Sequence, residues 1–182
     1  GNYEEAWRVL TRDNPLPATM GRVCYHPCES ACNRGELDDC VGINAIERFL
    51  GDEALQRHWR FEAPAAATGK KVLVVGAGPS GLSAAYHLRR MGHAVTVREA
   101  GPVAGGMMRF GIPKYRLPRQ VLDAEIQRIV DLGITLELNS KVANVLEAKQ
   151  ARGFDAVFLA VGAHIAKRAY IPAGSAAKML DA

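Results

Sequence analysis

The stretch KVLVVGAGPSGLSAAYHLRRMGHAVTVRE, residues 71–99, decides the fold. It opens on a short, continuous, β-branched apolar run, as expected of a strand buried on both faces of a parallel sheet. Residues 76–81 then spell G-A-G-P-S-G, a full G-x-G-x-x-G set; a helix is expected over Ser80–Met91, and AVTVRE supplies a second strand. Each glycine has a mechanical reason at such a turn. Gly76 permits the tight bend, Gly78 lets the backbone approach a pyrophosphate, and Gly81 lets helix and strand pack closely. The helix N-terminus offers the phosphates free N–H groups and a partial positive charge. Glu99 ends the second strand, where a carboxylate can accept hydrogen bonds from ribose hydroxyls. A glycine triad alone is weak evidence, since glycine-rich turns also merely join strands to helices. Here strand, triad, helix, strand and acid occur in order, and they predict dinucleotide binding. FAD and NAD share this half-site, so the residues alone leave the choice open.

Downstream lie a glycine-rich loop, GPVAGGMMRFGIPKYRLP, a helix from about Pro118 to Leu132, strand candidates near ITLEL and KVANV, and the apolar run DAVFLAVGA. The order is βαβ-like, which predicts a parallel sheet with helices on its faces. Upstream, FEAPAAATG (residues 61–69) reads as a connector. Before it comes a helical segment in which Ala6, Val9 and Leu10, and later Ile43, Ile46, Phe49 and Leu50, are spaced for one helical face. The expected organisation is α/β: an N-terminal α-helical, cysteine-bearing domain over 1–62, then a partial Rossmann-like domain over 69–182.

All four cysteines fall in GRVCYHPCESACNRGELDDC, residues 21–40, as C-x3-C-x3-C-x7-C. Disulfides fit poorly in a chain without an export signal. The spacing also differs from the paired C-x-x-C pattern of zinc sites. Closely spaced thiolates on a turn-rich segment suit an iron–sulfur cubane, and flavin chemistry pairs naturally with such a one-electron centre. The bland alternative is a helical cap that carries small residues and no metal. His26, next to Pro27, reads as a turn residue.

Of 182 residues, 48% are hydrophobic, as in a globular chain with a real core. The charge divides unevenly: residues 1–68 carry seven Lys/Arg against eleven Asp/Glu, and the rest carry sixteen against eight. The basic residues are scattered, without the clustered stripe of a nucleic-acid binder. No run is long and apolar enough for a membrane span, and the acidic start does not resemble a signal peptide, so the expected compartment is the cytoplasm. The chain has no initiator Met and a helix is expected in its first ten residues, so it reads as a piece of a longer polypeptide. Neither a second glycine-rich βαβ unit for NAD(P)H nor a Ser-His-Asp constellation is found.

The runs VVGAGPSGLSAAYHLRRMGHAVTVRE, GGMMRFGIPKYRLP, DAVFLAVGA and GRVCYHPCESACNRGELDDCVGINAIERFL resemble the glutamate synthase small-subunit family, which includes the matching domains of dihydropyrimidine dehydrogenase. The resemblance implies that the glycine loop holds FAD, with contacts at Gly76, Gly78, Pro79, Gly81, Glu99, Gly106, Met107, Arg109 and Val142, and the turn at Gly162 nearby. It further implies a [4Fe-4S] cluster on Cys24, Cys28 and Cys32, with Cys40 or Glu47 as the fourth ligand. In that family the first two cysteines usually stand further apart. NAD(P)H would act through a domain absent from this chain, whose partners would be the remainder of a longer chain or other redox subunits. By itself the chain would be a catalytically incomplete part of a flavin-dependent oxidoreductase. Two rivals stand beside this reading: a loop that binds NAD(P) directly, and a degenerate flavoprotein fold that acts as a scaffold.

Overall fold

The computed structural model describes residues 1–163; residues 164–182, which hold His164 and the end of the predicted second domain, lie outside the described residues. In the first unit, α1 spans Tyr3–Leu10, α2 Pro17–Val23, α3 Pro27–Ser30 and α4 Ile43–Gln56. Proline stands at the first turn of both α2 and α3, where its missing N–H costs nothing and its fixed φ suits a helix start. Residues Asn33–Glu36 form one 3₁₀ turn.

The buried faces of these helices differ from the ones that apolar spacing predicts. Trp7 is the fully buried residue of α1, while Val9 stays about half exposed. On α4 the buried positions are Leu50, Gly51 and Ala54, whereas Ile43, Ile46 and Phe49 are exposed. The reason is a close helix crossing. A Cβ on Gly51 would overlap the backbone of Ala18, and one on Gly21 would meet Arg48 at 2.5 Å. Small residues therefore form the contact between α2 and α4, and the larger apolar residues are turned away from it.

The second unit is a four-stranded parallel sheet in the order β3-β2-β1-β4, with β1 at Lys71–Val75, β2 at Ala94–Arg98, β3 at Thr135–Glu137 and β4 at Ala156–Leu159. Four helices accompany it: α5 (Pro79–Arg90), α6 (Gly106–Phe110), α7 (Arg119–Val130) and α8 (Val145–Ala151). Val74, Val95 and Val97 face a core completed by Leu82, Ala85, Tyr86, Leu122, Ile126 and Ile129. Leu73, Val75 and Val157 face the other way, against Phe154, Val142 and Ala148. KVANV is not a strand: Asn144 caps α8, its side chain accepting from the N–H groups of Leu146 and Glu147, an arrangement that favours a helix start over continued extension.

The two units share packing. Phe61, in the predicted connector, stacks on Trp7 at 5.3 Å and meets Tyr86 at 4.7 Å. Tyr86 donates its hydroxyl hydrogen to the Thr11 carbonyl at 2.6 Å. The rest of the connector is tied down by Ala65 and Thr68, whose N–H groups donate to the carbonyls of Arg90 and Gly92. Among the described residues, no helix is long and apolar enough to cross a membrane.

Candidate functional site

The glycine loop runs from the C-terminal end of β1 into the N-terminus of α5, with Gly78 as the cap residue and Pro79 in the first turn. Gly76 adopts φ +106°, and a Cβ there would overlap the Ala160 carbonyl after β4; both facts require glycine. Gly81 is buried and sits where a Cβ would strike the Gly76 carbonyl. Gly78 differs from both. Its backbone is extended, and an added Cβ would meet only the Gly106 Cα, at 3.9 Å. Space therefore stays open above Gly78, the position where a phosphate would approach.

Glu99 lies beside this loop. Its Oε2 accepts from the Ala77 N–H at 2.8 Å and its Oε1 from the Gly101 N–H at 2.8 Å. Each carboxylate oxygen keeps a further lone pair for a ligand hydroxyl. The adjacent cation, Arg98, donates to Ser140 Oγ at 2.7 Å and stands 3.5 Å from Glu137.

The second glycine-rich loop closes on the first: the Gly105 N–H donates to the Ala77 carbonyl at 2.8 Å, and a Cβ on Gly106 would come within 2.8 Å of the Gly78 Cα. Met107 is exposed on α6, whereas Met108 is core. Arg109 is a brace, its Nε donating to the Ala104 carbonyl and its Nη2 pairing with Asp123. Val142 packs against Leu73, Val75 and Phe154 on the sheet face turned away from α5, and Gly162 adopts φ +76°. The structure thus brings Gly76, Gly78, Pro79, Gly81, Glu99 and Gly106 together at one loop mouth; Met107 and Arg109 follow on α6, and Val142 stands apart.

The cysteine segment follows α2 directly, Cys24 being its C-cap. Cys24, Cys28 and Cys40 are exposed and Cys32 is partly so; all four are free thiols. Among the described residues, no three Cys, His, Asp or Glu side chains converge into a metal-binding group. The donor chemistry nevertheless fits an iron–sulfur cluster. Hydrogen bonds from the backbone at Val41, Arg34 and Gly35 hold the Cys32 thiol below its ordinary pKa, and the His26 N–H lies 3.3 Å from the Cys24 sulfur. At Cys32 these hydrogen bonds favour the thiolate that binds iron. Glu29, between two of the cysteines, ties the segment to α4 by accepting from the Asn44 N–H at 2.7 Å. Glu47 accepts from the Asn14 side-chain amide at 2.6 Å, and burial pushes its carboxyl above the usual range.

A residue that sequence reasoning missed lies between the units. Glu125 on α7 is fully buried and accepts from the N–H groups of Ala18 and Thr19 at 2.7 Å each, one per oxygen. Desolvation raises its pKa to about 7. Buried Arg128, three residues on, stands 5.3 Å from the Trp7 ring. Nothing local marks it out, because α7 also carries Arg119, Asp123 and Arg128.

Residues 1–59 match the family described as "Dihydropyrimidine dehydrogenase domain II, 4Fe-4S cluster", and residues 74–135 match "NAD(P)-binding Rossmann-like domain". The chain is 42% identical to the NADP(+)-dependent formate dehydrogenase subunit beta of Moorella thermoacetica, over 92% of this chain and 27% of that protein. It is 37% identical to the NAD-dependent dihydropyrimidine dehydrogenase subunit PreT of Salmonella typhimurium, over 88% of this chain and 40% of that one. It is also 37% identical to the glutamate synthase [NADPH] small chain of Bacillus subtilis, over 90% and 34%. The chain thus spans between about a quarter and two fifths of the length of these curated relatives.

Proposed function

From an N-terminal 4Fe-4S domain joined to a Rossmann-like domain, with oxidoreductase subunits as homologues, we propose that the chain is an electron-transfer module of an NAD(P)H oxidoreductase, with FAD on the Gly76–Gly81 loop. The observation that carries this reading is the Glu99 carboxylate beside Ala77. A carboxylate there suits a ribose with free hydroxyls and repels a 2′-phosphate, which needs a nearby arginine instead. Relatives are named for NADP(+) or NADPH, but in this chain the adjacent Arg98 is already committed to Ser140 and Glu137. A phosphorylated nicotinamide coenzyme therefore belongs elsewhere, on the rest of a longer chain or on a partner subunit. FAD, whose adenosine ribose is free, fits the loop.

In this proposal Gly76, Gly78, Pro79 and Gly81 receive the diphosphate and Glu99 orients the ribose, with Gly106 and Met107 beside them; Arg109 acts only by bracing α6 through Ala104 and Asp123, and Val142, packed on the far sheet face, makes no contact with the nucleotide. Cys24, Cys28 and Cys32 would hold a [4Fe-4S] cluster, with Cys40 or Glu47 as the fourth ligand. Bound together, the two groups would couple two-electron nicotinamide chemistry to one-electron carriers. The chain's own contribution is to bind and orient: the N-terminus of α5 would offer backbone N–H groups to the diphosphate, and other N–H groups keep Cys32 toward its thiolate form. A second reading, NAD(P) bound directly on the loop, is favoured by the family description for residues 74–135. Equilibrium dialysis of the protein against FAD, NADH and NADPH separates the two. Retention of FAD alone supports the proposal, and retention of NADH or NADPH without FAD rejects it.

A further inference from the structure

The helix that delivers Cys24 is held at both ends by the Rossmann-like unit. At its start, the two Glu125 oxygens take the N–H groups of Ala18 and Thr19. Near its end, Arg116, in the loop that follows α6, donates to the Arg22 carbonyl at 3.2 Å, and its guanidinium lies 5.5 Å from the Tyr25 ring. These two contacts differ in strength. Arg116 acts at an exposed site, where a cation–π contact contributes little. Glu125 has no water to turn to, so losing it would leave two buried amides unpaired. Helix α2 has only seven residues, too few to stand alone, so its placement depends on what grips it.

We propose that Glu125 is a positioning residue: it latches α2 to the Rossmann-like unit and thereby fixes where the cysteine segment sits relative to the glycine loops. The inference rests on the electron-transfer reading for its redox consequence, though not for the latch itself. Both follow from one geometry, in which a single carboxylate on α7 spans to two consecutive amides five and six residues before Cys24. A latch at this point acts on the environment of the cluster, because exposure and hydrogen bonds to sulfur set an iron–sulfur potential.

The test uses the full chain with its cofactors, as wild type, Glu125→Gln and Glu125→Ala. Hydrogen exchange reads the amides of residues 18–24, and an EPR-monitored redox titration reads the midpoint potential of the iron–sulfur signal. Glu125→Ala is expected to lower α2 protection at least tenfold relative to the β1–β2 amides, and to move the midpoint potential beyond the spread of replicate titrations. Glu125→Gln retains one acceptor and is expected to fall between the two in both readouts, which keeps the test sound if the alanine variant misfolds. Unchanged α2 protection, an equal loss across both units, or a loosened α2 with an unmoved potential would each overturn the proposal. Wild-type protein without any iron–sulfur signal would reject the electron-transfer reading, and exchange alone would then uphold or overturn the latch.

Discussion

The glycine loop and the cysteine segment are opposite kinds of site. At the loop the working groups are backbone atoms already fixed by the fold: the Gly76 N–H donates to the Arg98 carbonyl, that of Ala77 to Glu99, and that of Gly105 to the Ala77 carbonyl. In the cysteine segment the working groups are side chains on a stretch that lacks core, since no residue from Arg22 to Phe49 is buried. A site made of backbone is complete once the strands pair. A site made of thiolates reaches its geometry when metal binding adds the free energy that ordering the segment costs.

The contrast breaks first at Trp7. This fully buried residue joins the helical unit to Phe61 and Arg128, and Trp7→Ala is expected to lower unfolding stability by about 3–5 kcal/mol. If the helical unit borrows its order from the sheet, exchange protection is lost from α1, α2 and α4 first. Uniform loss would make the two units one cooperative body.

Glu125 gives the next effect, with a definite sign. Its folded pKa, about 7, lies above its ordinary 4.5. The native state therefore holds a proton that the unfolded chain releases, and folding is favoured most at or below 4.5. That contribution, at most about 3 kcal/mol, is lost as pH rises through about 7. Denaturant melts of wild type and Glu125→Gln between those limits read it, and the variant's stability should follow a flatter pH curve.

Gly78→Ala sharpens the comparison on the loop side. The Cβ has room in the protein but stands where a diphosphate must approach. Stability should change by less than about 0.5 kcal/mol, read by denaturant melts, while nucleotide affinity falls tenfold or more, about 1.4 kcal/mol, read by calorimetric titration. The smallest effect on folding belongs to Cys32→Ser. In metal-free protein the melting curve should move by less than about 0.5 kcal/mol, while reconstituted iron absorbance is lost.

The β1–loop–α5–β2 unit and the acid that closes it were legible in the sequence because each step has its own signal: an apolar run, a glycine set, a helical period, a terminal carboxylate. The helical unit was less legible. Its key crossing is made by Gly21, Gly51 and Ala18, which apolar spacing does not register, so Ile46 and Phe49 were assigned to a buried face that they do not occupy. Phe61 looked like linker because its partners, Trp7 and Tyr86, lie 54 residues upstream and 25 downstream. KVANV has the composition of a strand, but Asn144 diverts it into a helix cap. No local pattern could show that Glu125 reaches Ala18, since that contact exists only once both units have docked.

The nucleotide that occupies the loop beside Glu99 decides the role of the whole chain. The most direct measurement purifies the full chain without oxygen, unfolds it in acid and identifies the nucleotide released, in parallel for wild type and Gly78→Ala. One FAD per wild-type chain and little from the variant are expected. NAD(P)(H) in its place, or no nucleotide from either protein, would contradict the FAD assignment.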